Sequence, residues 1–428
     1  MDATLLKRII ADQKQALEKR LERNIIDRDV PDLQRFINAP NVLAILGVRR
    51  SGKSTLASLI MKGKRFGYVN FDDERLFGMV TGELNLLLQA IYELEGDVEF
   101  LLFDEIQNVS GWELFVSRLR DTKKIVITGS NSKLLSGELS THLTGRHIDF
   151  ELFPFSFNEF LKYNGYRFEK SKSYSTSSTA AIKSALDRFV DCGGFPEVNV
   201  LGKEILPSIY TDIIQKDAIL RFNIRHVAGF KELSKYLISN VSSEFTFSKL
   251  KSITSIRDIH TIKKYVDYLS STYLIIVLDR FSFKLKEQFI SPKKVYCIDH
   301  GIAKSISAAL DISKSMENLV AVELLRRTKL MGNETGLFYF RDYAQNEVDF
   351  VVARGKSPEQ LIQVTYASEI KGIKEREMKG LAIASNALKC NNLLIITWDY
   401  EGDIAYDGKK IRAVPLWKWL IDTSSRPK

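Results

Sequence analysis

Cysteine is scarce in this 428-residue chain, and the three present stand far apart. Cys192, Cys297 and Cys390 form no C-x-x-C pair, which argues against a zinc ribbon or a disulfide framework and fits a reducing compartment. The five histidines lack H-E-x-x-H or comparable ligand spacing, so no structural metal is expected. Long hydrophobic runs are missing as well: nothing approaches the ~20 apolar residues that cross a bilayer. The opening MDATLLKRIIADQKQALEKRLER is charged where a signal peptide would be apolar. No membrane partner and a cytoplasmic location are the resulting expectations. What is present is ordinary for a globular chain, with 45% hydrophobic and 27% charged residues. The length suits roughly two to four domains. A formal charge of +9 tilts the expectation toward an anionic partner, nucleic acid first among them.

The stretch ILGVRRSGKST, Ile45 to Thr55, matches G-x-x-x-x-G-K-[ST], with Gly47, Gly52, Lys53 and Ser54 in register. An apolar run, NVLAIL, leads into it as a buried parallel strand would, and STLASLIMKG follows with helical spacing. Strand, glycine loop and helix N-terminus together form an anion cradle, so Gly47, Arg49, Arg50, Ser51, Gly52, Lys53, Ser54 and Thr55 are assigned to ATP. Lys53 is placed on the β- and γ-phosphates and Ser54 on Mg²⁺. A second element, EFLLFDEIQ, ends four apolar residues in Asp104 and Glu105, where ligands bind in an open parallel sheet. Asp104 is expected to hold Mg²⁺ and Glu105 to polarise the attacking water. After a third strand in KKIVITGSNS, Ser130 and Asn131 either sense the γ-phosphate or hold the lytic water, or they form a simple turn. Arg146, ahead of a further strand, is either a finger acting on phosphoryl transfer, in its own site or a neighbour's, or a solvated surface arginine.

In order, GVRRSGKST, YVNFDDERL, LLFDEIQNVSGWELFVSRL, ITGSNSKLLS, LTGR and LFPFSFNEFL resemble the prokaryotic AAA+-type P-loop ATPases. More narrowly, they resemble a mostly uncharacterised group whose C-terminal part is restriction-endonuclease-like. The resemblance implies an α/β sheet with an extra strand between the nucleotide loop and the acidic strand. It also implies Asp72 and Asp73 closing the second strand near the site, and Trp112 packing the following helix.

The implied organisation is an N-terminal helical segment (1–35), a P-loop core (36–165), a helical lid with an insertion (166–229), a winged helix-turn-helix (230–300) and an endonuclease-like α/β domain (301–428). EKSKSYSTSSTA, residues 169–180, reads as a flexible surface loop. The Gly193-Gly194 pair and Pro196 make a tight turn, and 203–226 reads as one helix. From 230 onward, three amphipathic stretches precede TYLIIVLDRFSFKLKEQFI, which alternates like a hairpin. Between 231 and 294, basic residues exceed acidic ones by six. Arg257, Lys263 and Lys264 on the third helix, with Lys284 and Lys286 on the wing, are the candidate nucleic-acid contacts. A solvated face docking a protein is the alternative.

Beyond residue 300 the pattern is helix, three strands, helix, strand, which in the resembled group is a PD-(D/E)xK nuclease-like fold. That fold holds Mg²⁺ on acids beside a lysine. Here Glu317, Glu347 and Asp349 are available, but Gln363 and Thr365 stand where acid and lysine belong. A neutral amide cannot replace a carboxylate and threonine cannot replace a cation, so an inactive, nuclease-shaped module is expected. The whole chain then reads as an ATP-hydrolysing enzyme, forming homo-oligomers and acting on nucleic acid, with branched or structured DNA as one candidate substrate. The alternative is a slow nucleotide-dependent switch that binds a protein partner.

Overall fold

Five parallel strands organise the N-terminal part: β1 (Val42–Leu46), β2 (Phe66–Asn70), β3 (Phe100–Asp104), β4 (Lys124–Gly129) and β5 (His147–Glu151), in the order β2-β3-β4-β1-β5. The computed structural model describes residues 2–22, 25–39, 41–132, 145–166, 175–307, 310–331 and 334–422. These fall into two compact units, one running to Pro154 and including Ser271–Tyr273, the other comprising Phe155–Ser270 and the chain from Leu274.

In the first unit, β1, β3 and β4 carry near-continuous apolar sequence because both sheet faces are covered. Val42, Ala44 and Leu46 point to one core, with Leu101, Phe103 and Trp112, while Leu43 and Ile45 point to the other, with Leu56 and Leu102. The extra strand is present: β4 lies between β1 and β3. Since all five strands run the same way, their C-terminal ends share one edge, and Gly47, Asp104 and Ser130 emerge there. The helix Ala3–Leu21 starts at Asp2, whose carboxylate accepts the Thr4 N–H at 3.2 Å. Its Leu6, Ile9 and Ile10 enter the first core and Leu17 the second. The N-terminal helix is therefore part of the first unit and not a separate segment.

The stretch 203–226 is helical only from Lys203 to Leu220, before Asn223 turns the chain at φ +48°. Apart from this, the second unit differs from expectation at two places. Of the serine-rich stretch 169–180, residues 169–174 lie outside the described residues, but 176–180 are helical. Ser175 accepts the Ser178 N–H at 3.2 Å and caps the helix Thr176–Cys192, whose buried face is Ile182, Ala185, Leu186, Phe189 and Val190. That periodic face outweighs the serine content of the first turn. Gly193, at φ +79°, ends the helix as predicted. The second difference lies in a three-stranded antiparallel ribbon, β6 (Ser243–Phe245), β7 (Ile275–Asp279) and β8 (Lys293–Cys297), ordered β6-β8-β7. Helices Val227–Ser239, Phe247–Ile253 and Ile259–Ser271 precede or interleave with it. Between β7 and β8 the chain forms a helix, Leu285–Ile290, where alternation had suggested strand. Ser282 donates to Glu287 at 2.8 Å and accepts the Lys284 N–H at 3.2 Å, which starts the helix. Lys284 and Lys286 are thus not alternate residues of a strand.

The remaining sheet holds β9 (Thr335–Arg341), β10 (Glu347–Arg354), β11 (Ser357–Thr365), β12 (Leu393–Thr397), β13 (Gly402–Tyr406) and β14 (Lys409–Pro415), ordered β13-β14-β12-β11-β10-β9. With helices Ile312–Met331 and Glu375–Leu388, it realises the anticipated helix, three strands, helix, strand, and adds the hairpin β13–β14 beside β12.

Candidate nucleotide site and a second acid cluster

The loop after β1 is held by backbone geometry that favours glycine. Gly47 has φ +149° and Gly52 φ +97°. A Cβ on Gly47 would sit 2.2 Å from the Leu152 carbonyl oxygen, so the loop leaves β1 in contact with the chain just past β5. Gly47→Ala should therefore destabilise the fold by roughly 2–4 kcal/mol, combining strain and overpacking. Calorimetry would show it as a lower melting temperature, and an unchanged one would mean the contact relaxes freely.

From the loop the helix Lys53–Ile60 departs. Lys53 is buried, its ammonium donating to the Val48 carbonyl at 3.1 Å and lying 3.5 Å from Glu105. Glu105 adopts φ +54°, and its N–H donates to Thr128 Oγ1 at 3.1 Å. Its Oε2 accepts from the Ser130 N–H at 3.3 Å, from Ser130 Oγ at 3.1 Å and from Gln107. Asp104 accepts from Tyr68 at 3.3 Å and from Thr128, with the Ser54 hydroxyl also bonded to it. Burial and the neighbouring Glu105 charge push Asp104 above the usual carboxylate range, against the pull of those hydroxyls and Lys53. Asn131 is buried directly after Ser130, and Thr55 follows Ser54 in the first helical turn.

The structure thus brings Lys53, Ser54, Asp104, Glu105 and Ser130 together at one edge of the sheet. Arg49 pairs with Asp72 at 2.9 Å, and Arg50 takes φ +66°. Asp73 is engaged by Arg75 and Gln13, at 2.9 and 2.8 Å. One contributor was missed from sequence: Arg28 donates to the Ser51 carbonyl at 2.9 Å and the Phe153 carbonyl at 2.7 Å, bracing the loop. No motif surrounds Arg28 to mark it. Ser51 Oγ is buried without a hydrogen-bond partner inside the loop, as an anion cradle would leave it. This orphaned donor and the Ser54–Asp104 contact fit a phosphate-bound Mg²⁺.

Arg146 does not join this group. Its carbonyl accepts the Val42 N–H at 3.0 Å, at the N-terminal end of β1. At about 3.3 Å per residue, the five-residue strand sets it roughly 16 Å from the loop. It does not reach the nucleotide edge of its own sheet, which removes the in-site finger.

The candidate nucleic-acid residues are exposed. Arg257 precedes the helix Ile259–Ser271, which carries Lys263 and Lys264. Lys284 lies 3.4 Å from Glu287, and Lys286 is on the short helix of the ribbon. Two lysines in the charge excess are not surface charges: Lys293 is buried against Asp279 at 2.5 Å, and Lys294 is buried completely.

Lys294 enters the second site. Glu317 from the helix Ile312–Met331, with Glu347 and Asp349 from β10, surrounds its ammonium at 3.0, 2.6 and 3.2 Å. Gln363 Nε2 donates to Asp349 at 2.7 Å, and Thr365 closes β11 nearby. Burial together with the Asp349 charge pushes Glu317 up to about 7. Burial alone would lower Lys294, but the surrounding acids hold it well above its ordinary value. The expectation that no cation stands beside these acids is thereby corrected. The cation comes from β8, outside the sheet, which no local spacing signals.

Comparison with known proteins places these features in context. A family model described as an AAA domain matches residues 39–161. Two models described as domains of unknown function, DUF8612 and DUF4143, match 184–315 and 313–419. The uncharacterised protein MJ1544 of Methanocaldococcus jannaschii is 37% identical over 438 residues, spanning 97% of this chain and 95% of that protein. An uncharacterised protein of Haemophilus influenzae is 28% identical over 427 residues, spanning 94% of this chain and 100% of its own length. Among solved structures, the Signal Transduction ATPase with Numerous Domains PH0952 of Pyrococcus horikoshii aligns with 72% of this chain and 47% of its own at 14% identity. Its TM-score of 0.28 supports no statement about a shared arrangement.

Proposed function

Because the chain belongs to the same family as MJ1544 and carries an AAA domain, we propose that it is a Mg²⁺-dependent ATPase that acts on nucleic acid. The observation that carries the hydrolytic part is the convergence of Lys53, Ser54, Asp104, Glu105 and Ser130 at the C-terminal edge of a parallel sheet, in the manner of P-loop ATPases. Ser54 and Asp104 would hold Mg²⁺, which supplies charge neutralisation on the phosphoryl oxygens when bound. Lys53 leaves Val48 and Glu105 for the phosphates, and the carboxylate it releases orients water for in-line attack. Ser130 keeps that carboxylate aimed, and Asn131 is placed beside it. Arg146, remote from its own loop, would serve a neighbouring subunit, which makes a homo-oligomer part of the proposal.

The nucleic-acid part rests on the ribbon segment. Its order of helix, strand, two helices and two strands, with the short helix Leu285–Ile290 between the last two strands, resembles that of a winged helix-turn-helix, and Arg257, Lys263, Lys264, Lys284 and Lys286 are exposed on it. The nuclease-like domain is carried as a binding or assembly module. A second reading, a slow ATP-dependent switch docking a protein, is favoured by one observation: Phe283, Leu285, Phe289 and Ile290 are all exposed at the ribbon's connecting helix.

Steady-state ATP hydrolysis with Mg²⁺, alone and with single-stranded, duplex and four-way DNA, separates the two, with Glu105→Gln as the blank. Acceleration by one form, lost together with salt-sensitive binding in the Lys263→Glu, Lys264→Glu double variant, is the expected result. Turnover indifferent to every form would favour the protein-directed switch.

A further inference from the structure

An ammonium has three N–H donors, and Lys294 faces three carboxylates, Glu317, Glu347 and Asp349, at 3.0, 2.6 and 3.2 Å. The match extends to the rest of the cluster. The second oxygen of Asp349 accepts Gln363 Nε2 at 2.7 Å and the Val364 N–H at 3.0 Å. The Glu317 oxygen that meets Lys294 also accepts the Tyr296 hydroxyl at 2.7 Å. Gln363 Oε1 in turn accepts the Asp349 N–H at 3.3 Å, so this neutral amide closes the network from both sides. A fourth carboxylate at that position would crowd one more negative charge around a single buried cation. Gln363 and Lys294 are therefore two halves of one arrangement, and the lysine missing at Thr365 is supplied from another element.

A hard divalent cation needs several oxygens with free lone pairs converging at about 2.0–2.6 Å. Here Glu317 Oε1, Glu347 Oε1 and both Asp349 oxygens are already taken by side-chain and backbone donors. Among the described residues no group of three His, Cys, Asp or Glu side chains is arranged to hold a metal ion. We propose that the Lys294 ammonium is the resident cation of this cluster: β8 places it where a divalent metal would otherwise sit, and the cluster takes no metal while β8 stays paired to the sheet domain. Around it run further ties between ribbon and sheet. The Phe281 N–H donates to the Tyr339 carbonyl at 2.7 Å, the Tyr339 hydroxyl donates to the Pro292 carbonyl at 2.7 Å, and Arg341 pairs with Glu244. Asn318 brackets Cys297 with two hydrogen bonds, at 2.7 and 2.9 Å, fixing the register of β8 against the helix that carries Glu317. The site is a lock with a built-in cation, and it is independent of the nucleotide chemistry proposed above.

The test is Mn²⁺ binding to the full chain without nucleotide, followed by electron paramagnetic resonance, in the native protein, Asp349→Asn, Lys294→Met and the Lys294→Met, Asp349→Asn double variant. Native protein and Asp349→Asn should bind the same number of ions. Lys294→Met should gain one Mn²⁺ per chain, and adding Asp349→Asn should remove it. A site in native protein that disappears in Asp349→Asn, or Mn²⁺-dependent DNA cleavage lost in that variant, would overturn the proposal. So would a folded Lys294→Met that gains no ion. If Lys294→Met alone does not fold, Lys294→Met with Glu317→Gln removes one charge of each sign. Recovery of folded protein then supports the counter-cation role, and failure to recover any overturns it.

Discussion

Replacing Glu105 by glutamine should leave nucleotide binding intact and cut ATP turnover by roughly 10²–10⁴-fold, the span over which a positioned base or water-orienting group acts. The substitution isolates charge because everything else about the position is retained. The left-handed backbone at φ +54° is held by the N–H bond to Thr128 Oγ1, and glutamine meets the same demand. Ser130 donates to the carboxylate through both its N–H and its hydroxyl, and an amide oxygen can accept the same two bonds, though more weakly than the charged carboxylate. Only the negative charge that polarises water is gone. The same carboxylate also competes for Lys53, which lies 3.5 Å away. Nucleotide affinity should accordingly be equal or tighter in the variant. Titration with a fluorescent nucleotide and steady-state phosphate release check the two halves separately. Turnover within tenfold of native would move water activation to another residue.

What the sequence reveals of this architecture, and what it conceals, follows from how far apart the interacting residues lie. β1 and β3 are legible because strands buried on both faces must be apolar throughout, and each ends in a motif whose chemistry needs a strand terminus. Glycines at 47 and 52 are legible because positive φ and close approach select them. The order of helix and strands after residue 312 is likewise carried by local periodicity. Arg28 is not legible, since its partners Ser51 and Phe153 are backbone carbonyls that leave no trace in composition. Lys294 is not legible for the related reason that its three acids lie on two other elements, 23 to 55 positions along the chain. Counted as a surface charge, it points toward nucleic acid, whereas its burial turns it into an internal counter-ion. The helix Leu285–Ile290 misleads in the opposite sense. FKLKEQF alternates as a strand would, but Ser282 and Glu287 supply a local helix start that overrides the alternation.

The Lys53→Ala variant should lose at least roughly 10²-fold in turnover, because it removes a preorganised cation from the transferring phosphoryl group. It should also lose stability before any nucleotide is added. Lys53 is buried, and the carboxylate of Glu105, itself almost wholly buried, lies 3.5 Å away, with the Asp104 carboxylate on the adjoining residue. Deleting the ammonium leaves two neighbouring acids without their shared cation, and breaking a buried pair from one side costs about 3–5 kcal/mol at most. The carboxylate is the reason for that cost, so Glu105→Gln introduced on top of Lys53→Ala should restore part of the stability. The expected coupling between the two positions is about 1–3 kcal/mol. Chemical denaturation of the four proteins of this cycle, without nucleotide, measures it directly. Additive losses would mean that Lys53 and Glu105 do not interact in the resting state, and that Lys53 is held by the Val48 carbonyl alone. Coupling of the expected sign would mean that arriving phosphate has to displace Glu105 from Lys53. Nucleotide binding and release of the water-orienting carboxylate are then a single event.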